Sequence, residues 1–460
     1  MASSDQPPFL SSPPSSTEDL EQWLIDIPQT LESLLYSETT LPICIFKLQE
    51  TRTSEKPDAY VPQHIGLGPI HHFRTDIYSK QEKLKLVKAN KIIRNYITSE
   101  FEKIVQESLI DLVPVAEYCY DLQFDIENDV LAWVFAIDAV VVLGILSTVS
   151  DGHRTEYLED VMMVENQIPL VVLVNLLNAL DEHLDGGGPD LTYLLVDFCN
   201  KRSPLEFIIA KTPLDLYTED RFHLLDCMYH LIVNHTVPEM DQAHGAAAIT
   251  KEDVENIVQT TGALFPSLNV FFQPILVILK LPWDKIGALI KPLVGETPVV
   301  LEIDIPSASR LARTAKIEFS TTTGGIHDIE FDEKKLTFCL PVLNLKSDSE
   351  VILRNLVAYE ELLFKNGTVT NLAFTEYVDF MCGIVDGVKD VKLLQEKKII
   401  LGDMKDEEIV KLFNGITKSS AKVGRGESKL LKTIEKNNLG LGNVRLVIPY
   451  VTRNTKLYDF

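Results

Sequence analysis

The sequence predicts a mainly α-helical protein with a small antiparallel β-sheet, an α+β fold whose multi-helix body forms two lobes. Three observations predict it. Apolar residues recur at helical spacing on both sides of a central break. The region 299–343 alternates with a period of two and is rich in β-branched and aromatic residues. The chain has 460 residues, more than one hydrophobic core usually organises.

Residues 1–38 form a polar arm with an amphipathic helix at Thr17 to Tyr36, bent by Pro28. A helical lobe is expected over 39–240. It opens with an apolar strand at Leu41 to Leu48 and a charged turn at Arg52 to Asp58. Helices are then expected at Lys80 to Tyr96, Glu100 to Leu122, Glu127 to Leu146, Tyr157 to Leu180, Asp190 to Cys199 and Glu219 to Val233. A helical connector over 241–297 begins with a capping-box pattern, Thr250 to Asp253. Over 298–417, strands at Val299 to Ile303, Lys316 to Phe319, Ile326 to Phe331 and Lys335 to Leu343 precede helices at Ser349 to Leu363, Leu372 to Val385, Val388 to Gln395 and Asp406 to Ile416.

The chain carries 43 Lys plus Arg and 67 Asp plus Glu, a net charge of −24. That argues against bulk affinity for nucleic acid or anionic lipid. With 45% hydrophobic and 24% charged residues, disordered, collagenous and disulfide-scaffold classes are excluded. The six cysteines are widely spaced in apolar surroundings and read as free thiols in a reducing compartment. The most apolar window, Val130 to Leu146, is interrupted by Asp138. Residues 418–460 form a basic tail with nine basic and three acidic residues, 9 − 3 = +6. It could dock on the acidic body, touch anionic lipid or remain solvated.

Catalytic signatures are sparse. Tyr60 to His72 packs Pro62, Gly66, Gly68 and Pro69 around three histidines, a composition for a tightly folded loop with an aromatic anchor rather than a metal site. His223, Asp226 and His230 share a helix face, where local hydrogen bonding is commoner than metal ligation. The adjacent acids Glu360-Glu361 and Glu407-Glu408 read as solvated. Glu165-Asn166-Gln167-Ile168-Pro169 sets polar side chains before a helix, with Pro169 at its first position and the polar groups satisfying its orphan amides. No dinucleotide loop, P-loop, nucleophile elbow, zinc pair or calcium loop is present, so no catalytic residue, metal or cofactor is expected.

Met162 to Pro169, with Glu165-Asn166-Gln167 at its centre, resembles the hallmark of the plant family called domain of unknown function 247, the UPF0481 type. The rest of the family pattern follows in order. Tyr60, Pro62 and Leu67-Gly68-Pro69-Ile70-His71 are similar to its Tyr-x-Pro and Gly-Pro-aromatic-His segments, and Glu82 with Lys85 to its Glu-x-x-Lys. Cys119-Tyr120, Asp138, His223 to Asp226, Arg354-Asn355 through Glu360, Asp390-Val391 and Leu412 to Asn414 also match family positions. Departures are Ile70 for an aromatic, Ala139-Val140-Val141 for Gly-Cys-Phe and Lys316 for a glycine. The family's usual C-terminal membrane helix has no counterpart in Leu439 to Phe460, so weak or no direct membrane contact is expected.

The resemblance implies a plant recognition or signalling protein without known catalytic residues, some grass members being linked to pollen–stigma self-incompatibility. The expectation is therefore a non-enzymatic protein-interaction module, cytoplasmic or peripheral at the plasma membrane, with protein partners and no nucleic acid. Two alternatives compete with it. One is an enzyme with a pocket near His71 and Glu165 or near His223 and Asp226. The other is a membrane-peripheral adaptor in defence or development.

Overall fold

Helices form wherever the 3.6-residue apolar period is sustained, and they enclose two short sheets. The computed structural model describes residues 42–93, 98–153, 155, 157–181, 190–206, 221–233, 306–322, 325–332 and 334–416, all within one compact unit. The expected Thr17 to Tyr36 helix, the Val299 to Ile303 strand, the connector and the basic tail lie outside the described residues.

In chain order the first helices are α1 (Glu50–Glu55), α2 (Pro57–Tyr60), α3 (Gly68–His72), α4 (Thr75–Ile93), α5 (Thr98–Ile104), α6 (Val113–Tyr118) and α7 (Asn128–Ser150). They are followed by α8 (Leu170–Asp181), α9 (Leu191–Arg202) and α10 (Leu224–Val233). After the strands come α11 (Ser349–Lys365), α12 (Ala373–Ile384), α13 (Val388–Glu396) and α14 (Asp406–Ile416). Helix α7 is apolar on nearly every side because it is the central core helix, packed by α3, α4, α8 and α9. By length and composition it could cross a membrane, Asp138 notwithstanding, yet most of it is buried inside the protein. Asp190 caps α9 by accepting from the Tyr193 amide at 3.2 Å, and Lys201 and Arg202 complement its last turn.

Several expected elements are corrected. Leu41 to Leu48 is not a strand among the described residues: only Ile45 bridges Tyr120, in parallel, while Asp121 and Glu165 carboxylates take the Lys47 and Leu48 amides that would extend a ladder. Arg52 to Asp58 is not a turn but falls in α1 and α2, the latter started by Pro57. The helix expected over Glu100 to Leu122 breaks into α5, a π turn, a 3-10 turn and α6, because Pro114 has no amide to donate and crowds the preceding turn. Helix α8 starts only at Leu170, since Pro169 forbids helix before it; residues 157–169 are a loop with one 3-10 turn.

The small sheet is mixed, not antiparallel. Strand β1 (Glu318–Thr321) runs parallel to β3 (Thr337–Leu340), and β2 (Glu330–Asp332) pairs antiparallel to β3, giving the order β1-β3-β2. A second pair joins β4 (Leu343–Leu345) in parallel to β5 (Ile400–Gly402). Alternation marks a strand but not its direction. The connections decide: 322–336 and the helices α11 to α13 are long enough for the crossovers that parallel neighbours require.

The two segments expected as separate lobes share one hydrophobic cluster, from Cys44 and Phe46 through Phe135 and Tyr229 to Leu356 and Phe413. Helix α11 crosses that boundary. Its Asn355 Nδ2 donates to the Ala59 and Val351 carbonyls (2.7 and 2.8 Å), while its Oδ1 accepts from the Val164 amide at 3.0 Å.

Candidate functional site

The loop between α2 and α3 has too few backbone partners of its own, because Pro62 and Gly66 within it and Gly68-Pro69 at its end prevent regular pairing. Side chains from distant elements supply them. The Asp160 carboxylate accepts from the amides of Gln63 (2.9 Å), His64 (2.6 Å) and Ile65 (2.7 Å). Asn166 Oδ1 accepts from the Leu67 amide at 2.5 Å, and its Nδ2 donates to the Ile65 and Asp160 carbonyls. Tyr78 donates from its hydroxyl to the Pro62 carbonyl at 2.9 Å.

Gly68 closes the loop. Its φ of +70° is a left-handed conformation, and a Cβ there would stand 2.8 Å from the Tyr120 hydroxyl. Its amide donates to Asp138 Oδ2 at 2.8 Å. Asp138 Oδ1 holds the Lys85 ammonium at 2.6 Å, and Lys85 also reaches the Gly66 carbonyl and Glu82, each at 2.8 Å. Lys85 and Asp138 are fully buried. Burial opposes the Lys85 charge, but Asp138 and Glu82 outweigh it and raise its pKa. Burial pushes the Asp138 carboxyl up against the pull of Lys85.

Glu165 and Gln167 extend the same framework. Glu165 Oε1 accepts from the Leu48 amide at 2.6 Å, and burial raises its pKa. Gln167 Nε2 donates to the Val161 and Met163 carbonyls, both at 2.8 Å, and its Oε1 accepts from the Leu225 amide at 3.1 Å. These polar groups therefore do not cap the helix that follows them; they fasten two other loops, their own loop and α10. His71 is also fully buried and lies 3.9 Å from Glu165 Oε2, with neither ring nitrogen hydrogen-bonded among the described residues. Burial, then Arg74 and Lys85, bring its pKa down to about 3, so the imidazole is neutral and this contact is not an ion pair.

A second buried cluster lies where α10 meets α11. Asp226 accepts from the Tyr359 hydroxyl (2.8 Å) and the Phe222 amide (3.0 Å), with His230 Nε2 at 3.2 Å. Burial works against its carboxylate, but His230 and these donors hold its pKa down. His223 sits just before α10, its Nε2 3.0 Å from the Cys44 carbonyl and its Nδ1 accepting from the Asp226 amide. Glu360 accepts from the Tyr229 hydroxyl (3.0 Å) and from the amides of Phe374 and Thr375 at the start of α12.

A family model described as a plant protein of unknown function, DUF247, matches residues 45–440. The chain belongs to this family. It is 29% identical to a putative UPF0481 protein of Arabidopsis thaliana, over 94% of this chain and 88% of that protein. No solved structure matches it.

In this DUF247 protein the motifs dispersed in sequence converge on the interior. Tyr60, Pro62, Gly68, Pro69 and His71 come together with Glu82, Lys85, Glu165, Asn166, Gln167 and Pro169 around α7, while His223, Asp226 and Tyr229 at α10 meet Tyr359 and Glu360 of α11. Arg354 is buried as well: its Nε donates to Glu350 at 3.0 Å and its Nη1 to the Gly415 carbonyl near the end of α14 at 3.5 Å. Glu360 and Glu361 are buried rather than solvated, a correction; Glu361 is paired with Arg52 at 2.5 Å, whereas Glu407 and Glu408 are exposed. Asp160 was missed as a framework residue. Its signal was the acidic pair Glu159-Asp160 set directly before the apolar run Val161 to Val164. Among the described residues, no group of three His, Cys, Asp or Glu is placed to hold a metal ion.

Proposed function

We propose that this DUF247 protein is a non-enzymatic protein-interaction module of the plant cell. In this reading the shared motifs maintain the fold and the surface between them selects partners. The observation that carries it is the engagement of Asp160, Asn166, Gln167, Asn355 and Glu360: each is buried and satisfied by backbone groups far away in sequence. Such residues define one conformation and leave none of their donors for a ligand. Burial of His71 and His223 weighs against the enzyme alternative, because a catalytic imidazole must reach its substrate.

The finer reading is a role in cell–cell recognition such as pollen–stigma self-incompatibility, from a cytoplasmic or membrane-peripheral position. It is supported by family membership. Affinity purification of the tagged chain from reproductive and vegetative tissue, against a tag-only control, tests both levels. A reproducible stoichiometric protein partner is the expected result, enriched in reproductive tissue if the finer reading holds. Recovery of no partner from any tissue overturns the module.

A further inference from the structure

Cys44 and Cys119 lie 75 positions apart in sequence (119 − 44) and side by side in the fold. The Cys119 carbonyl accepts from both the Cys44 and the Ile45 amides, each at 2.8 Å, and the Asp121 amide donates to the Ile45 carbonyl at 3.0 Å. This is the parallel bridge of Ile45 with Tyr120, so each cysteine immediately precedes a bridge partner. The 2.8 Å bond from the Cys44 amide to the Cys119 carbonyl holds the two Cα atoms at most about 6.7 Å apart, inside the separation of about 4.4–6.8 Å that a disulfide spans. The two side chains are close enough for Cys119, after burial, to push the Cys44 thiol pKa up, and Cys119 Sγ itself donates to the Val115 carbonyl at 3.5 Å. Both residues are at most 1% exposed and both are free.

We propose that Cys44 and Cys119 are a disulfide-forming pair, which on oxidation by a small disulfide cross-links the 42–48 segment to the end of α6. The thiolate of one cysteine attacks the small disulfide and releases one equivalent of its thiol. The second thiolate then displaces the other equivalent, closing the protein disulfide. Two electrons pass to the oxidant, which leaves as two thiols.

The closed loop would hold the whole Gly-Pro-His segment and α4. Burial raises the Cys44 pKa, so reaction requires the 42–48 segment to lift, or precedes its docking during folding. The start of that segment already lies at the surface, since Ile43 is 39% exposed and Pro42 is exposed. The other four cysteines supply internal controls: Cys199 and Cys227 are buried in neighbouring helices, while Cys339 and Cys382 are partly exposed.

The test uses the full chain equilibrated with glutathione disulfide, both in buffer and in denaturant just below the unfolding transition. Residual thiols are then alkylated under denaturing conditions and peptides are mapped by mass spectrometry. The expected result is a linked peptide pair joining Cys44 to Cys119, formed faster in denaturant, reversed by dithiothreitol and accompanied by a thermal midpoint higher by several degrees. C44S and C119S should each abolish the link and the shift. The wild-type peptide map stands whether or not those variants fold. Full alkylation of both cysteines under both conditions, or links and glutathione adducts only at other cysteines, overturns the proposal.

Discussion

Lys316 has a φ of 58°, the left-handed region, at the end of the turn Leu311–Ala315 that leads into β1. It is the position where the family resemblance expects glycine, and the geometry gives the reason: a side chain there costs about 1–2 kcal/mol in local strain. Lys316 is exposed, so its side chain returns no packing energy. Lys316→Gly should therefore raise the urea midpoint, by less than the full strain because glycine also gains freedom in the unfolded chain. An unchanged or lower midpoint would refute this. His71 offers a pH test. Its folded pKa of about 3 lies below the value of about 6.5 for an unfolded histidine, so the unfolded state binds more protons between these values. Its contribution is present above pH 6.5 and drains away as pH falls toward 3, at about 1.4 kcal/mol per unit within the window. Buried carboxyls with raised pKa, Asp138, Asp160 and Glu165, act in the opposite sense but are common to wild type and His71→Phe. Thermal melts of the two proteins from pH 7 to pH 4 should thus show wild type losing stability relative to the variant. Parallel curves would mean that the imidazole titrates normally.

Helix type and position were legible where the apolar period was long, as in α4, α7 and α11 to α14, and illegible where a proline or a distant side chain intervened. Residues 157–169 carry apolar residues at helical spacing, yet the chain remains a loop, because Asn166 and Gln167 find better partners in other segments than a helix would offer. The Glu165-Asn166-Gln167 cluster was therefore visible as a cluster, while its targets were not: nothing local in sequence points from Gln167 to Leu225, 58 positions away. The pairing of α4 with α7 was equally hidden. It depends on Lys85 and Asp138, two charges that composition would place at the surface. Lys85→Met leaves the Asp138 carboxylate with the Gly68 amide as its remaining named donor, and a buried pair broken on one side costs about 3–5 kcal/mol. Lys85→Met with Asp138→Leu removes both charges and should recover part of that loss, the Gly68 amide and Gly66 carbonyl remaining unpaired. Chemical denaturation of the four proteins in the cycle checks the coupling, and additive losses would show that the pair does not act as a unit.

At the scale of the whole molecule, the unusual polar residues of the fold join its segments. Glu165, Asn166 and Gln167 reach the loops at 48 and 65–67 and the start of α10 at 225, and Asn355 and Glu360 tie α11 to both halves of the chain, so a single core forms without any cross-link among the described residues. A core so constructed suits a reducing compartment, in which structural disulfides do not persist. The proposed cytoplasmic or membrane-peripheral position therefore makes a definite statement about the one cysteine pair in backbone contact, Cys44 and Cys119. In tissue quenched with acid and alkylated before extraction, both cysteines should carry the alkylating label, together with Cys199, Cys227, Cys339 and Cys382. Recovery of the Cys44–Cys119 link from quenched tissue would instead place the body in an oxidising compartment and overturn the cytoplasmic assignment, while leaving the capacity of the pair to cross-link intact. The two ideas fail separately: the purified chain reports whether the bond can form, and the quenched tissue reports whether the environment of the protein lets it persist.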